Sequence, residues 1–189
     1  EGTLDRERLK ATFFSLIQRH ESLRSSFELL KGEPVQRVFE PQALNFRIVT
    51  YDGAHDHASV KEIVGRFIRP FDLTQPPLLR VGLVEREAPK PKGGTPNYVL
   101  MVDMHHIISD GTSLDIVIRE FMALYDGQDI PAPAIQYKDY SQWQQNGKGR
   151  SQLQRQEEFW LNQLAGEIPV LNMPTDFVRP AVQVFQGSY

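Results

Sequence analysis

Apolar residues at Leu9, Phe13, Leu16 and Ile17, followed by His20, recur at three- and four-residue spacing. That spacing predicts an amphipathic helix from Thr3 or Leu4 to about Leu23, with its apolar stripe packed on a sheet. Ser25 to Leu30 and Val35 to Phe39 read as strands joined through Lys31-Gly32-Glu33-Pro34, so the helix feeds a hairpin. Asn45 to Tyr51 predicts another strand. Asp56 to Ile68 predicts a helix with Val60, Ile63, Val64 and Phe67 on one face, stopped by Pro70. The prolines of Phe71 to Pro77 make that stretch a connector, and Leu78 to Glu85 returns as a strand. Ala88 to Pro96, rich in Pro, Gly and Lys, reads as the mobile loop of a second hairpin.

Tyr98 to Met104 alternates with a period of two and is rich in strand formers, which predicts a mostly buried strand ending at His105 and His106. Ser109-Asp110-Gly111 then turns the chain, with Thr112 or Ser113 as a helix cap. A helix follows to Tyr125, apolar on much of its surface and therefore expected to be sandwiched. Asp126-Gly127 and the prolines after Ile130 break it, and Tyr137 opens a polar helix running to roughly Leu164. Gly147 and Gly149 predict a break in that helix near Asn146 to Arg150. Beyond Gly166, the prolines 169, 174 and 180 describe an extended crossing segment, and Val182 to Tyr189 is strand-like. No internal repeat is visible.

With 189 residues, 40% hydrophobic and 10% aromatic, the chain is expected to be a single unit, one domain or one large subdomain. A net charge of −3 and a pI near 6.0, without blocks of like charge, argue against nucleic acid or an anionic membrane as partner. The absence of cysteine excludes disulfides and thiol catalysis and is compatible with a cytoplasmic location. No apolar run approaches a membrane span, and the opening EGTLDRERLK has neither a signal-peptide core nor an initiator Met, so the chain reads as excised from something longer.

The strand exit is where chemistry concentrates, and three readings compete for its histidine pair. In the structural one, one imidazole is buried and hydrogen-bonded and the other solvated. In the metal reading, both histidines and Asp110 supply ligands, yet adjacent residues leaving a strand point to opposite sides and rarely chelate one ion. In the third, one imidazole faces a cleft as a general acid-base while Asp110 shapes the loop. His-His-x-x-x-Asp-Gly arises by chance about once in a few thousand chains of this length, which favours catalysis. Arg19-His20-Glu21-Ser22-Leu23-Arg24, taken alone, is a solvated helix end with its cations near the negative pole of the helix dipole. His55 and His57 read as exposed loop residues.

Together, MHHIISDGTS at Met104 to Ser113, RHESLRSSF at Arg19 to Phe27 and YKDYSQW at Tyr137 to Trp143 resemble three ordered motifs of the condensation domain of nonribosomal peptide synthetases. The first is shared in looser form with chloramphenicol acetyltransferase; the other two are not. The resemblance covers nearly the whole chain and implies that 1–189 is the N-terminal half of a two-lobed domain whose second lobe would follow Tyr189. It implies an α/β half-domain like the chloramphenicol acetyltransferase lobe, with a mixed or antiparallel sheet and helices packed mainly on one side.

The implied reaction is amide formation between aminoacyl or peptidyl thioesters. Both would be carried on phosphopantetheine arms of upstream and downstream carrier proteins, with an adenylation domain as neighbour; no cofactor or metal is expected on this chain. By the same resemblance His106 faces the reaction tunnel, His105 turns into the protein, and Asp110 pairs with Arg24 to tie the loop to the first hairpin. Gly111 allows close approach of substrate and is a candidate donor to the oxyanion. Tyr137, Asp139 and Trp143 are left as packing and capping residues. The isolated half is expected to be inactive. An epimerization domain of the same superfamily and a non-catalytic docking scaffold are the alternatives.

Overall fold

The computed structural model describes residues 4–52, 59–86, 97–146, 148–178 and 180–182. The expectations at His55, His57, Ala88 to Pro96 and the last residues of the terminal strand, 183–189, lie outside them. The chain divides into two units, Glu1–Gln142 and Trp143–Tyr189.

In the first unit, α1 (Arg6–Arg19) starts where the Asp5 carboxylate accepts the amide of Arg8 at 2.9 Å. It buries Leu9, Thr12, Phe13, Leu16 and Ile17. The helix stops short of the expected Leu23. His20 turns extended, φ −107° and ψ 109°, while its amide still reaches the Leu16 carbonyl, and Glu21–Arg24 form a 3-10 turn that puts Leu23 into the same core. β1 (Ser25–Leu30) and β2 (Glu33–Val38) then pair antiparallel, with Leu30 opposite Glu33. The connecting Lys31 and Gly32 both have positive φ, 55° and 87°, the geometry that matches a two-residue turn to strand twist.

The second sheet has the order β3 (Ile48–Asp52), β4 (Leu79–Arg86), β5 (Asn97–Met104). β3 runs parallel to β4, with α2 (Val60–Phe67) between them in sequence, and β4 and β5 form the expected antiparallel pair. Ser59 and Glu62 close a capping box that starts α2 at Val60. Period-two alternation along β4 gives each face its own core. Leu79, Val81 and Leu83 pack with Leu9, Phe13, Leu16 and Ile17 of α1, whereas Val84 joins Ile63 and Phe67 of α2 and Met101 of β5. Helices therefore cover both faces of the sheet rather than mainly one. The reason is β4, whose residues are buried in both directions. Gly82 sits in that second layer, where a Cβ would fall 2.7 Å from Met101 Cε and 2.9 Å from Phe67 Cε2.

α3 (Gly111–Tyr125) lies on α1 through Val117, Phe121 and Leu124, with the Phe13 and Phe121 rings 5.1 Å apart. It is not sandwiched: Leu114, Ile118 and Met122, one helical stripe, are 44%, 54% and 56% exposed. A polar junction fixes its height on α1. The Glu120 carboxylate accepts from Arg19 Nε at 2.8 Å and from His20 Nε2 at 2.5 Å, and Arg19 also donates to the carbonyls of Ile130 and Pro131 beyond the helix. A carboxylate can only accept, so His20 carries a hydrogen on Nε2. Burial alone would raise the Glu120 pKa, but the two donors outweigh it and the net shift is downward.

α4 (Tyr137–Gln145) begins in the first unit, its first turn organised by Asp139, which accepts the Gln136 amide at 2.8 Å. The second unit carries α5 (Lys148–Gln163), so the helix is interrupted where Gly147 and Gly149 predict it. Phe159 and Trp160 meet edge-to-face within α5, and an extended segment follows. Among the described residues no helix is long and apolar enough to cross a membrane.

Two stability outcomes are expected. Leu16 is fully buried between α1 and β4, and Leu16→Ala should cost about 2–5 kcal/mol in urea unfolding of the domain. Because Glu120 titrates below its ordinary 4.5 when folded, its contribution is complete above that pH and is lost as pH falls through the folded value. Glu120→Gln should therefore be less stable than wild type near neutrality, with the gap closing under acid; a gap that stays constant from pH 7 to pH 3 contradicts this.

Candidate active site

β5 delivers its two histidines to a loop closed by its own backbone. The amide of His105 donates to the Leu78 carbonyl at 3.1 Å, extending the ladder beyond Met104. The His105 carbonyl then accepts Ile108 N at 3.1 Å and Ser109 Oγ at 3.3 Å. Ile108 is buried in the α1 core and anchors the loop from beneath. The His105 ring is partly buried: its Nδ1 accepts the Ile107 amide at 3.0 Å, and it stands edge-to-face with the Phe71 ring at 6.0 Å and 89°. Nδ1 is thus unprotonated, and the ring's hydrogen sits on Nε2 in the neutral form.

Phe71 is held in turn by Arg80. That guanidinium stacks 3.5 Å from the ring centroid, pairs with Asp103 at 3.0 Å and donates to the carbonyls of Arg69 and Pro70. Burial lowers the Arg80 pKa, with Asp103 opposing the shift. Little in the sequence announces this support. Its one local signal is Asp103, two residues before His105 and so on the same face of the strand.

His106 points the other way and is exposed. Among the described residues its ring nitrogens have no hydrogen-bond partner. It lines an open cavity of about 290 Å³ together with Asp110 and Ser113 of the loop and helix that follow it, Phe27 and Gln36 of the first hairpin, and Tyr137. Alternation at the strand exit thus separates the pair into a fixed ring and a free one.

Asp110 is the N-cap of α3. Its Oδ1 accepts both the amide and the hydroxyl of Ser113, each at 2.7 Å. These bonds hold its carboxyl below the ordinary range. The expected pair with Arg24 is not formed. Arg24 donates to the Phe39 carbonyl and lies 3.4 Å from Glu21 Oε1, so it braces the base of the first hairpin instead. The cap engages the carboxylate locally, and Phe39 and Glu21 take the two terminal nitrogens of the guanidinium, while its buried Nε has no hydrogen-bond partner among the described residues. Gly111 opens α3 with nothing within 4 Å of where a Cβ would stand, so only an outside molecule would make use of the missing side chain. Among the described residues no three His, Asp or Glu gather as a metal site would require.

The condensation domain family model matches residues 1–189. Tyrocidine synthase 3 from Brevibacillus parabrevis is 46% identical over 188 residues, which is 100% of this chain and 3% of that protein. Bacitracin synthase 2 from Bacillus licheniformis is 45% identical over 187 residues, 99% of this chain and 7% of that protein. The chain therefore spans a small fraction of the synthases it matches. Among solved structures, the epimerization domain from the third module of tyrocidine synthetase B aligns with a TM-score of 0.69 and 25% identity, covering 93% of this chain and 40% of that one. The X-domain from teicoplanin biosynthesis aligns with a TM-score of 0.70 and 26% identity, covering 96% and 40%. With the α/β architecture of the chloramphenicol acetyltransferase-like fold and a family match from end to end, the chain belongs to the condensation domain family.

Proposed function

We propose that residues 1–189 form the N-terminal half of a condensation domain that makes the amide bond between carrier-bound aminoacyl or peptidyl thioesters in a nonribosomal peptide synthetase. The observation that carries this reading is His106, a ring without a hydrogen-bond partner among the described residues, at the wall of a cavity, on a loop fixed by the His105 carbonyl, by Ile108 and by the Asp110 cap. The attacking amine forms a C–N bond at the thioester carbonyl, the tetrahedral intermediate expels the phosphopantetheine thiolate as C–S breaks, and the amine's proton leaves with the thiol. His106 accepts a hydrogen bond from the amine, which orients it and offers the proton a route. The larger share of the acceleration comes from alignment. Holding two reactants in line supplies roughly 7–11 kcal/mol, against about 10²- to 10⁴-fold for proton transfer.

In this reading His105, Asp110 and Gly111 support the loop, and Arg24 acts at one remove through the hairpin that presents Phe27 and Gln36. The partners are an upstream and a downstream carrier protein, an adenylation domain, and a second lobe that supplies the other wall of the tunnel, so the half alone has no turnover. The phosphopantetheine belongs to the carriers. The setting is cytoplasmic.

In the complete domain, His106→Ala should reduce dipeptide formation by about 10²- to 10⁴-fold with an unchanged melting curve; undiminished product removes His106 from the mechanism. Assaying α-carbon inversion on the same loaded carriers separates condensation from epimerization. Asp110 supplies a cap rather than an ion pair, and Asn caps as well as Asp. Asp110→Asn should therefore keep most of the activity that Asp110→Ala loses, and equal loss in both variants would show that the negative charge itself is needed.

A further inference from the structure

The first residue of α4 lines the same cavity as His106, and the residues on either side of it are tied to the end of α1 and the turn after it. Gln136, the residue before the helix, bonds the end of α1 in both directions: its Oε1 accepts the Glu21 amide at 3.1 Å and its Nε2 donates to the Arg19 carbonyl at 3.0 Å. Lys138 Nζ reaches Glu21 Oε1 at 2.7 Å, and Arg19, itself held by Glu120, donates to the carbonyls of Ile130 and Pro131 along the same connector. Between these two tethered residues stands Tyr137. Its side chain lines the cavity with His106 and Phe27, remains 58% exposed, and touches the Tyr140 ring at 6.1 Å.

An aromatic ring left open to a cavity while both of its neighbours are fixed is a contact surface waiting for an apolar group. Packing among the described residues does not account for it. We infer that Tyr137 is a substrate-contacting residue, the ring against which the side chain of one carrier-bound aminoacyl group rests, and that Gln136 is the positioning residue that sets its place. The inference rests on the condensation reading. The motif RHESLR thereby also serves the site through its backbone, since Arg19 and Glu21 hold Gln136, the residue before Tyr137.

The test uses the complete condensation domain with leucyl- or glycyl-loaded carrier protein in each of the two substrate positions. Tyr137→Ala should raise KM for the leucyl carrier roughly tenfold in one position, the equivalent of about 1.4 kcal/mol of lost contact, with kcat changed much less. The glycyl carrier, which offers no side chain to the ring, should show no such rise. Gln136→Ala should shift the same KM in the same direction. The double variant should be no worse than Tyr137→Ala alone, because a misplaced ring and an absent one lose the same contact. Should Tyr137→Ala fail to fold, Tyr137→Leu carries the same comparison.

Unchanged KM in both positions, or an equal rise for leucyl and glycyl carriers, overturns the assignment. Either result leaves His106 untouched, whereas full activity of His106→Ala removes the catalytic reading and not the contact at Tyr137.

Discussion

Burial of Ile108 beneath the loop that carries the histidines is the contact on which the site's geometry rests. Its side chain enters the core made by α1 and β4, and the backbone on either side has little choice left. The His105 carbonyl closes over Ile108 N, and the His105 ring accepts the amide of Ile107. What remains free is the residue at the apex, His106. A loop without that anchor would carry the same residues and present them in many arrangements, and positioning is the larger part of what such a site supplies.

The anchor depends on a sheet that is filled from both sides. β4 sends Val81 and Leu83 to α1 and Val84 to α2, so the strand that pairs with β5 is itself immobilised by two separate cores. α1 then does double work. Its apolar stripe holds the sheet, and its C-terminal end, Arg19 and His20, reaches Glu120 and so sets the height of α3, the helix that Asp110 caps. Strand exit, capped helix and hairpin meet around one cavity because all three take their position from the same helix.

Much of this was legible in the sequence. β1 falls on the expected Ser25–Leu30, β5 carries the histidine pair to its exit, and α3 ends at the expected Tyr125, because local periodicity and turn residues decide these. Strand alternation puts the rings of His105 and His106 on opposite sides, while which of the two faces the cavity came from the family resemblance and not from periodicity. Long-range pairings did not show. Glu120 is about a hundred residues from Arg19 and His20 in sequence, and Gln136 farther still from Glu21, and no local pattern links them. The pairing of Arg24 with Asp110 is implied by the family resemblance alone, and in this chain each has other partners, Phe39 and Glu21 for the guanidinium and Ser113 for the carboxylate. α3 looked sandwiched because apolar residues surround it, although the chain as described covers one side only.

Gly82 marks where the sheet and α2 come closest. A single hydrogen is all the room there is between the strand backbone, the methyl of Met101 and the ring of Phe67, so shape alone screens what can occupy that position and chemistry has no say. Met101 belongs to the strand that ends in the histidines. A side chain at position 82 would first have to move the end of Met101 and the ring of Phe67, so the spacing of the layers on that face is set from the same strand that carries the histidines.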